Sequence, residues 1–413
     1  MRARRIAPAL LAAVSLMGSL AGCTDDRTVR AGAAESTAAT AATAAATTSV
    51  DAPPATTNPP APVPTSSTVA PTTTTITTAT TTTLAPTTTS TAPATTATEP
   101  TAPPLLSASY PNLATAVFGL ALDNVAVSVS VHRDGVAPWG MAAGRRADGQ
   151  DATTDSPFVI ASVSKLVTAL SIARLVEQGA LTTDTAVPWA SLGLRTDPLW
   201  ADVTVRELLD HTSGMPINRK SWLDDPGPCA VPLQEAVLAS PTIARTTWQY
   251  SNGNYCALGM LVESITGRTL DEAAYDLVFT PAGVTGPYLS TDGMRSDSVP
   301  SPRGVARLAR LGGAGAWLAS TDDLVAMLDT VTAADLEVLR WPGIILDQYG
   351  WGHTGTLDGA KACAWVLEDG RTTVAAVVSG PRPATGGKVC DAVLPALALD
   401  LGIWAGDPLR NPI

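Results

Sequence analysis

A long low-complexity stretch near the N-terminus limits which part of the chain can fold. Residues 24–104 consist almost entirely of Thr, Ala, Pro and Ser and contain very few large apolar side chains. Such a segment buries too little apolar surface to offset the entropy of ordering its backbone, so we expect a disordered, partly polyproline-like tether. The folded domain is therefore predicted to occupy residues 105–413.

The first residues have the pattern of an export signal. Three arginines within the first five positions precede an apolar stretch, residues 6–20, which is too short to span a membrane comfortably. We predict a signal peptide over residues 1–22. It ends in Leu20-Ala21-Gly22-Cys23, which resembles the lipobox of bacterial lipoproteins. The resemblance implies that Cys23 is lipidated and anchors the chain to the outer face of the cell membrane or envelope; the alternative is ordinary cleavage at small residues, with Cys23 incidental.

Charge and histidine content exclude some functions. The 413 residues carry a net charge of -11, and only three of them are histidines. An acidic chain lacks the basic footprint that binding to nucleic acid requires. His132, His211 and His353 are far apart in the sequence and show no metal-ligand spacing, so we predict neither a metal nor another cofactor.

Four cysteines remain after Cys23 in a chain predicted to reach an oxidising compartment. Cys229, Cys256, Cys363 and Cys390 allow three pairings. Proximity in sequence favours Cys229–Cys256 and Cys363–Cys390. The alternative is that they are free thiols buried in the core, where cysteine is common.

Strands are predicted at both ends of the domain. Alternating valines over residues 125–131 predict a half-buried strand, and Asp134-Gly135 provides a turn into a second strand over residues 136–142. Near the C-terminus, residues 349–356, 362–367 and 372–378 are also predicted as strands.

Helices are predicted between and after these strands. Apolar spacing from Val163 to Leu170 indicates a helix that ends at Gly179, and the Thr204/Glu207 and Thr269/Glu272 pairs have the spacing of capping boxes. Further helices are predicted from 254 to 267, from 320 to 328 and from 389 to 403. The fold class is therefore α/β of the α+β type: an antiparallel β-sheet flanked by helices, with an inserted all-helical lobe.

The pair Ser162 and Lys165 is the first candidate for chemistry. Residues three apart on a helix are surface neighbours, so the amine of Lys165 can reach the hydroxyl of Ser162. Burial and the field of a helix N-terminus disfavour the charged lysine and can make it a base. The spacing alone is weak, because it also describes an ordinary helix start with a solvated lysine.

Two further groups of residues have suitable chemistry. Tyr250 can pass protons, and Asn252 can hold both Lys165 and a substrate amide. Separately, each is also compatible with an ordinary turn.

His353, Thr354 and Gly355 lie on a predicted strand edge, where Gly355 permits close approach of a ligand. The amides of Ser162 and Thr356 can form an oxyanion hole. A buried structural histidine is the alternative interpretation of His353.

In combination, Ser-x-x-Lys, Tyr-x-Asn and His-Thr-Gly resemble the serine β-lactamase and D-alanyl-D-alanine carboxypeptidase family, in particular its class C and penicillin-binding-protein-like branch. The segments Phe158–Lys165 and Thr204–Gly214 resemble it as well. The resemblance implies an acylated nucleophile at Ser162, with Lys165 as base or proton relay and Tyr250 as the group that protonates the leaving group and assists deacylation.

The resemblance also implies roles for the remaining site residues. Asn252, His353, Thr354 and Gly355 would bind substrate, and His211, in the Thr204–Gly214 segment, would be structural. Many members have lysine where this chain has His353. Histidine is largely neutral at pH 7, which weakens the prediction of a carboxylate-binding site and favours an esterase or amidase of broader range.

The expected function is an envelope-anchored serine hydrolase that acts on a D-alanyl peptide, a β-lactam or a small ester through a covalent acyl-enzyme. The alternative from another class is a slow, penicillin-binding-like surface binding or sensor protein; a purely structural wall protein leaves the motifs unexplained. The expected partners are a small-molecule or peptidoglycan-derived substrate and, through the lipid, the membrane. The sequence does not indicate the substrate or the oligomeric state.

Overall fold

The computed structural model describes residues 109–403, with gaps at 218–221, 223–225, 242, 291–292, 303 and 341–342. These residues belong to one compact unit. The predicted signal peptide, the Cys23 lipidation site and the tether of residues 23–104 lie outside the described residues. No helix in the described part of the chain is long and apolar enough to cross a membrane.

Two antiparallel sheets are found in the described residues. The strands are β1 (Ala126–Arg133), β2 (Val136–Ala143), β3 (Phe158–Val159), β4 (Tyr288–Leu289), β5 (Trp317–Ala319), β6 (Ile345–Asp347), β7 (Gly350–Leu357), β8 (Ala360–Leu367) and β9 (Thr372–Ser379). The large sheet has the order β2-β1-β9-β8-β7-β6, and the small one has the order β3-β5-β4. The N-terminal hairpin therefore pairs directly with the last strand, which confirms the predicted sheet built from both ends of the domain.

Helices cover the large sheet and form the lobe beside it. They are α1 (Pro111–Leu122), α2 (Ser164–Glu177), α3 (Val205–Leu209), α4 (Ala230–Leu238), α5 (Asn252–Thr266), α6 (Leu270–Ala274), α7 (Thr321–Leu328), α8 (Ala333–Leu339) and α9 (Gly386–Leu401). Helices α2 to α6 follow one another between β3 and β4, as expected for the inserted helical lobe. The predicted α+β fold class is confirmed; α1, α4, α8 and the small sheet were not predicted.

Local signals set several helix ends. Both predicted capping boxes are present, with Thr204 and Thr269 each accepting a hydrogen bond from the backbone N–H of the glutamate three residues on. Ser320 and Asp323 form another at the start of α7. The left-handed Gly267 ends α5 as predicted. Each box satisfies backbone donors that the first helical turn leaves unpaired, which fixes where the helix begins.

The prediction that β1 is half-buried is wrong, because both of its faces are covered. Val127, Val129 and Val131 pack on the side of α1 and α9. Ser128 and Ser130 point to the other side, where α7 lies, and both hydroxyls are within 2.8 Å of the hydroxyl of Thr321. A buried serine is tolerated because its hydroxyl is hydrogen-bonded. The polar alternation therefore marks a contact with a helix and not with solvent.

Both predicted disulfides are present. Cys229–Cys256 joins the start of α4 to α5, and Cys363–Cys390 joins β8 to α9. Each bond spans 27 positions of sequence, so each limits the freedom of a short loop in the unfolded chain. The alternative of free thiols is thereby excluded for these four residues.

Candidate active site

Ser162 lies in a strained turn that leads from the small sheet into α2. The 3-10 turn Ala161–Val163 precedes α2, and Ala161 has a positive φ of 48°. Left-handed backbone costs an alanine about 1–2 kcal/mol. This turn directs Ser162 to the edge of the cleft, half-buried, whereas Ile160 and Val163 on either side are in the core.

Gly355 on β7 allows the large sheet to approach this turn closely. A Cβ at position 355 would overlap the carbonyl oxygen of Ile160 and would lie 3.2 Å from the Cβ atoms of Ala161 and Ala362. The space beside Gly355 is thus occupied by protein backbone. The close approach places Thr356 and Ser162 in the lining of one cleft. The predicted contact of Gly355 with substrate stays a prediction.

Lys165 is buried behind Ser162 in the first turn of α2. Its Nζ lies 2.7 Å from Asn252 Oδ1, 2.7 Å from the carbonyl oxygen of Ala314 and 3.3 Å from Ser162 Oγ. Burial lowers the pKa of Lys165 well below its ordinary value. The lysine is therefore suited to be neutral in the resting enzyme and to accept a proton.

At the start of α5, Tyr250 contacts Ser162 and Asn252 contacts Lys165. Tyr250 donates a 2.9 Å hydrogen bond from its hydroxyl to Ser162 Oγ, and its ring centroid lies 4.8 Å from Lys165 Nζ. Burial raises the pKa of Tyr250 to about 12, although the hydrogen bond with Ser162 acts in the opposite direction. The phenol is therefore protonated at neutral pH. Ser251 caps the helix by accepting a hydrogen bond from Gly253 N–H, which holds Tyr250 and Asn252 on the two sides of the cap.

His353 and Thr354 form the opposite wall. His353 is buried, and its Nδ1 donates a 2.7 Å hydrogen bond to the carbonyl oxygen of Thr354, which fixes the neutral tautomer. Burial, with a smaller contribution from Lys165, lowers the pKa of His353 to about 4. The side chain of Thr356 accepts a 2.8 Å hydrogen bond from Gly386 N–H. The use of the Ser162 and Thr356 amides as an oxyanion hole stays a prediction.

His211 lies deeper in the site than the sequence indicated. It is buried in the lining of the cleft, and its ring centroid is 4.6 Å from that of Tyr250. Its Nδ1 accepts hydrogen bonds from Ser251 N–H at 3.3 Å and from Asn254 Nδ2 at 3.0 Å. The backbone amide can only donate, so the proton of the neutral ring is on Nε2. Burial, Lys165 and His353 hold the pKa of His211 well below its ordinary value.

Trp248 is a second cleft residue that the sequence interpretation missed. It is 52 % exposed and lines the cleft together with His211 and Tyr250. Residues two apart in extended backbone share a face, so the position of Trp248 before Tyr250 was the available signal. Nothing in the local sequence indicates that His211 contacts Tyr250, because the two residues are distant in sequence and come together only in the fold.

The described residues contain no group of three or more His, Cys, Asp and Glu side chains placed to hold a metal ion. The cleft itself, of about 460 Å³, is lined by Ser162, His211, Trp248, Tyr250, Asn252, Gly343, Ile345, His353, Thr354 and Thr356. The expectation that the enzyme needs no cofactor stays a prediction.

Comparison with known proteins identifies the family. A family model described as Beta-lactamase matches residues 113–398, which is more than half of the chain. The chain belongs to the β-lactamase family. It is therefore an enzyme of the serine hydrolase type, and the three motifs lie within the matched region.

Individual proteins are similar to parts of this chain. Penicillin-binding protein 4 of Amycolatopsis lactamdurans is 34% identical over 146 residues, an alignment that covers 34% of this chain and 38% of that protein. The D-amino acid amidase from Ochrobactrum anthropi SV3 has a TM-score of 0.59 at 21% identity, covering 70% of this chain and 99% of its own. The penicillin binding protein from Bacillus halodurans has a TM-score of 0.57 at 20% identity, covering 68% of this chain and 98% of its own. At these identities the structural similarity shows the fold alone.

Proposed function

We propose that this protein hydrolyses an amide or ester through a covalent acyl-enzyme on Ser162. One observation carries the proposal: Ser162 Oγ lies between a buried lysine amine at 3.3 Å and a tyrosine hydroxyl at 2.9 Å. A hydroxyl becomes a useful nucleophile when a positioned base removes its proton during attack.

Lys165 is the base in this mechanism. A neutral amine has two N–H donors, which its contacts with Asn252 Oδ1 and the Ala314 carbonyl oxygen use. Its lone pair then faces Ser162, whose hydroxyl donates to it. During attack the serine O–H bond breaks, the proton moves to Nζ, and the Oγ–carbon bond forms.

Tyr250 passes the proton to the leaving group. Because its pKa is raised to about 12, it starts as an acid and not as a phenolate. As the bond from the acyl carbon to the leaving group breaks, the Tyr250 hydroxyl gives its proton to the departing oxygen or nitrogen and is reprotonated from Lys165 by way of the same hydrogen-bonded cluster. Water repeats the sequence in reverse to release the acyl group.

The candidate substrates are a D-alanyl peptide, a β-lactam and a small ester. A penicillin-binding relative and a D-amino acid amidase of the same fold support this range. We also propose that the enzyme is exported and lipid-anchored to the outer face of the cell membrane. The N-terminal signal pattern and the lipobox-like Leu20–Cys23 support that location.

Intact-mass spectrometry tests the acyl-enzyme. Native protein is treated with a fluorophosphonate or a penicillin, and Ser162→Ala is the control. We expect one adduct on the native protein and none on the variant. Absence of any adduct on native protein, or an equal adduct on Ser162→Ala, would refute the nucleophile. An adduct on Ser162 without turnover of small esters above the Ser162→Ala background would favour the alternative of a slow binding or sensor protein.

A further inference from the structure

The cleft has an apolar wall that the proposed chemistry does not use. Trp248 is 52 % exposed and Ile345 is partly buried, and both line the cleft. Exposing half of a tryptophan to water is unfavourable compared with covering it by an apolar group. A substrate group that covers this wall would gain that free energy on binding.

The fold places Ile345 at one end of the cleft. Ile345 pairs with Gly352 in the β6–β7 ladder, directly beside His353. Thr356 lies four residues further along β7, on the order of 13 Å away at the rise of a β-strand. Ile345 is therefore remote from the predicted oxyanion amide of Thr356.

Trp248 belongs to the same end of the cleft as Tyr250. Its ring stands edge-on to His211 at a centroid distance of 6.5 Å, and His211 packs on Tyr250 at 4.6 Å. In the proposed mechanism, Tyr250 donates the proton to the leaving group. Trp248 therefore lies on the side of the leaving group, and Ile345 lies away from the Thr356 amide.

No positively charged side chain is found among the described residues that line the cleft. None of them is Lys, Arg, Asp or Glu. Burial lowers the pKa of His353 to about 4, so its ring is neutral at pH 7, and its Nδ1 proton is donated to the Thr354 carbonyl oxygen. Arg340 precedes the lining residue Gly343 but lies within 3.6 Å of the carboxylate of Asp210. A carboxylate on the leaving group would lose hydration in this place without gaining an ionic partner.

We propose that the cleft selects substrates whose leaving group is uncharged and apolar, such as an alkyl or aryl ester or amide, over substrates that release a free amino acid carboxylate. This inference rests on the proposed acyl transfer at Ser162. The step is the same for both classes: the acyl carbon exchanges its bond to the leaving oxygen or nitrogen for a bond to Ser162 Oγ, and the leaving group takes the proton of Tyr250.

Substrates with one acyl group and different leaving groups test the proposal. N-acetyl-D-alanyl-D-alanine and its C-terminal amide differ mainly in the charge of the leaving group. The methylamide and benzylamide of N-acetyl-D-alanine differ mainly in its apolar size. We expect kcat/KM to be at least about tenfold higher for the C-terminal amide than for the free acid, and about tenfold higher for the benzylamide than for the methylamide. Equal or faster hydrolysis of the free acid would overturn the proposal.

Variants test whether Trp248 causes the preference for an apolar leaving group. Trp248→Ala is expected to reduce kcat/KM for the benzylamide about tenfold more than for the methylamide, and Trp248→Phe to restore most of the difference. Leu199→Ala, another exposed apolar residue outside the cleft lining, is the matched control and should change neither ratio. His353→Lys is expected to shift the ratio of free acid to amide towards the acid. An unchanged benzylamide preference in Trp248→Ala would exclude this wall as the cause.

Binding separates this proposal from the proposed function. The free acid and its C-terminal amide are titrated calorimetrically into Ser162→Ala, which cannot be acylated. Tighter binding of the amide supports the selectivity even if native protein forms no acyl-enzyme, and tighter binding of the acid overturns it. Failure of adduct formation on native protein bears on the proposed function alone.

Discussion

Replacement of Gly355 by alanine should separate the two halves of the active site. The added Cβ would overlap the carbonyl oxygen of Ile160, so either β7 or the turn that carries Ser162 must move. Contacts between carbon and oxygen need more than 3 Å, and relieving the overlap takes a displacement on the order of 1 Å. A misplacement of about 1 Å can cost about 10²-fold in rate, or about 2.7 kcal/mol of transition-state stabilisation.

The assay for Gly355→Ala compares kcat/KM on an ester with the melting temperature of the same preparation. We expect a loss of about 10²-fold in kcat/KM with a folded protein whose stability falls by about 1–3 kcal/mol, typical of overpacking. Titration with a fluorophosphonate normalises the rate to active protein.

Gly140→Ala is the matched control. A Cβ there would lie 2.6 Å from Thr154 Cγ2 and 2.9 Å from the carbonyl oxygen of Val129, which is also too close, although the overlap with the backbone is less severe than at position 355. Four strand spacings of the sheet separate β2 from β7. The control should therefore lose stability and keep its kcat/KM per active site. Wild-type activity in folded Gly355→Ala, or equal loss in Gly140→Ala, would refute the argument that Gly355 sets the position of Ser162.

Four further results are expected. Lys165 must be neutral to accept a proton, so kcat/KM should rise as the pH passes through the lowered pKa of this lysine. Because the pKa of Tyr250 is raised to about 12, kcat/KM should not decline near pH 8–9. A bell-shaped pH profile in that range would contradict this assignment of roles. Lys165→Met should lower kcat about 10²–10⁴-fold in a folded protein, measured on an ester, and a smaller loss would exclude it as the base. In His211→Asn, the asparagine keeps a hydrogen-bond acceptor near the position of Nδ1 and tolerates the positive φ of 58°, but it lacks the ring beside Tyr250. We therefore expect kcat to fall with little change in melting temperature. An unchanged kcat would show that the role of His211 is purely structural. Replacing Cys363 and Cys390 by alanine should lower the free energy of unfolding by about 3–4 kcal/mol in denaturant titrations, and no change would contradict the loop-entropy argument.

Local sequence signals predicted the parts of the fold that local physics controls. The Thr204 and Thr269 capping boxes and the left-handed Gly267 each act within a few residues, and they lie where they were expected. The disulfides followed from proximity in sequence. The positions of the main strands were predicted for the same reason, since β-branched residues and turn signals alternate over short distances.

Features that depend on distant packing could not be predicted in this way. Ser128 looks solvent-facing until α7 covers β1 and supplies Thr321 as a hydrogen-bond partner. Gly355 was assigned to contact with ligand, but only the fold shows that the backbone of Ile160 occupies the adjacent space. The proximity of His211 to Tyr250 has the same cause, because the two residues are brought together by the contact between α3 and the start of α5.

The surroundings of Lys165 are better matched to the charge that forms during the reaction than to the resting state. Burial lowers the pKa of this amine well below its ordinary value, which favours the neutral form before attack. Once it accepts the proton of Ser162, the ammonium lies 4.8 Å from the ring of Tyr250 and 5.5 Å from that of Tyr255. Its hydrogen bonds to the oxygens of Asn252 and Ala314 become charge-assisted at the same moment. Aromatic faces and carbonyl oxygens attract a cation much more strongly than a neutral amine, so these contacts strengthen as the transition state forms. Interactions that strengthen in this way lower the barrier instead of merely tightening substrate binding. The burial that makes Lys165 a base and the contacts that stabilise its conjugate acid therefore contribute to the same step.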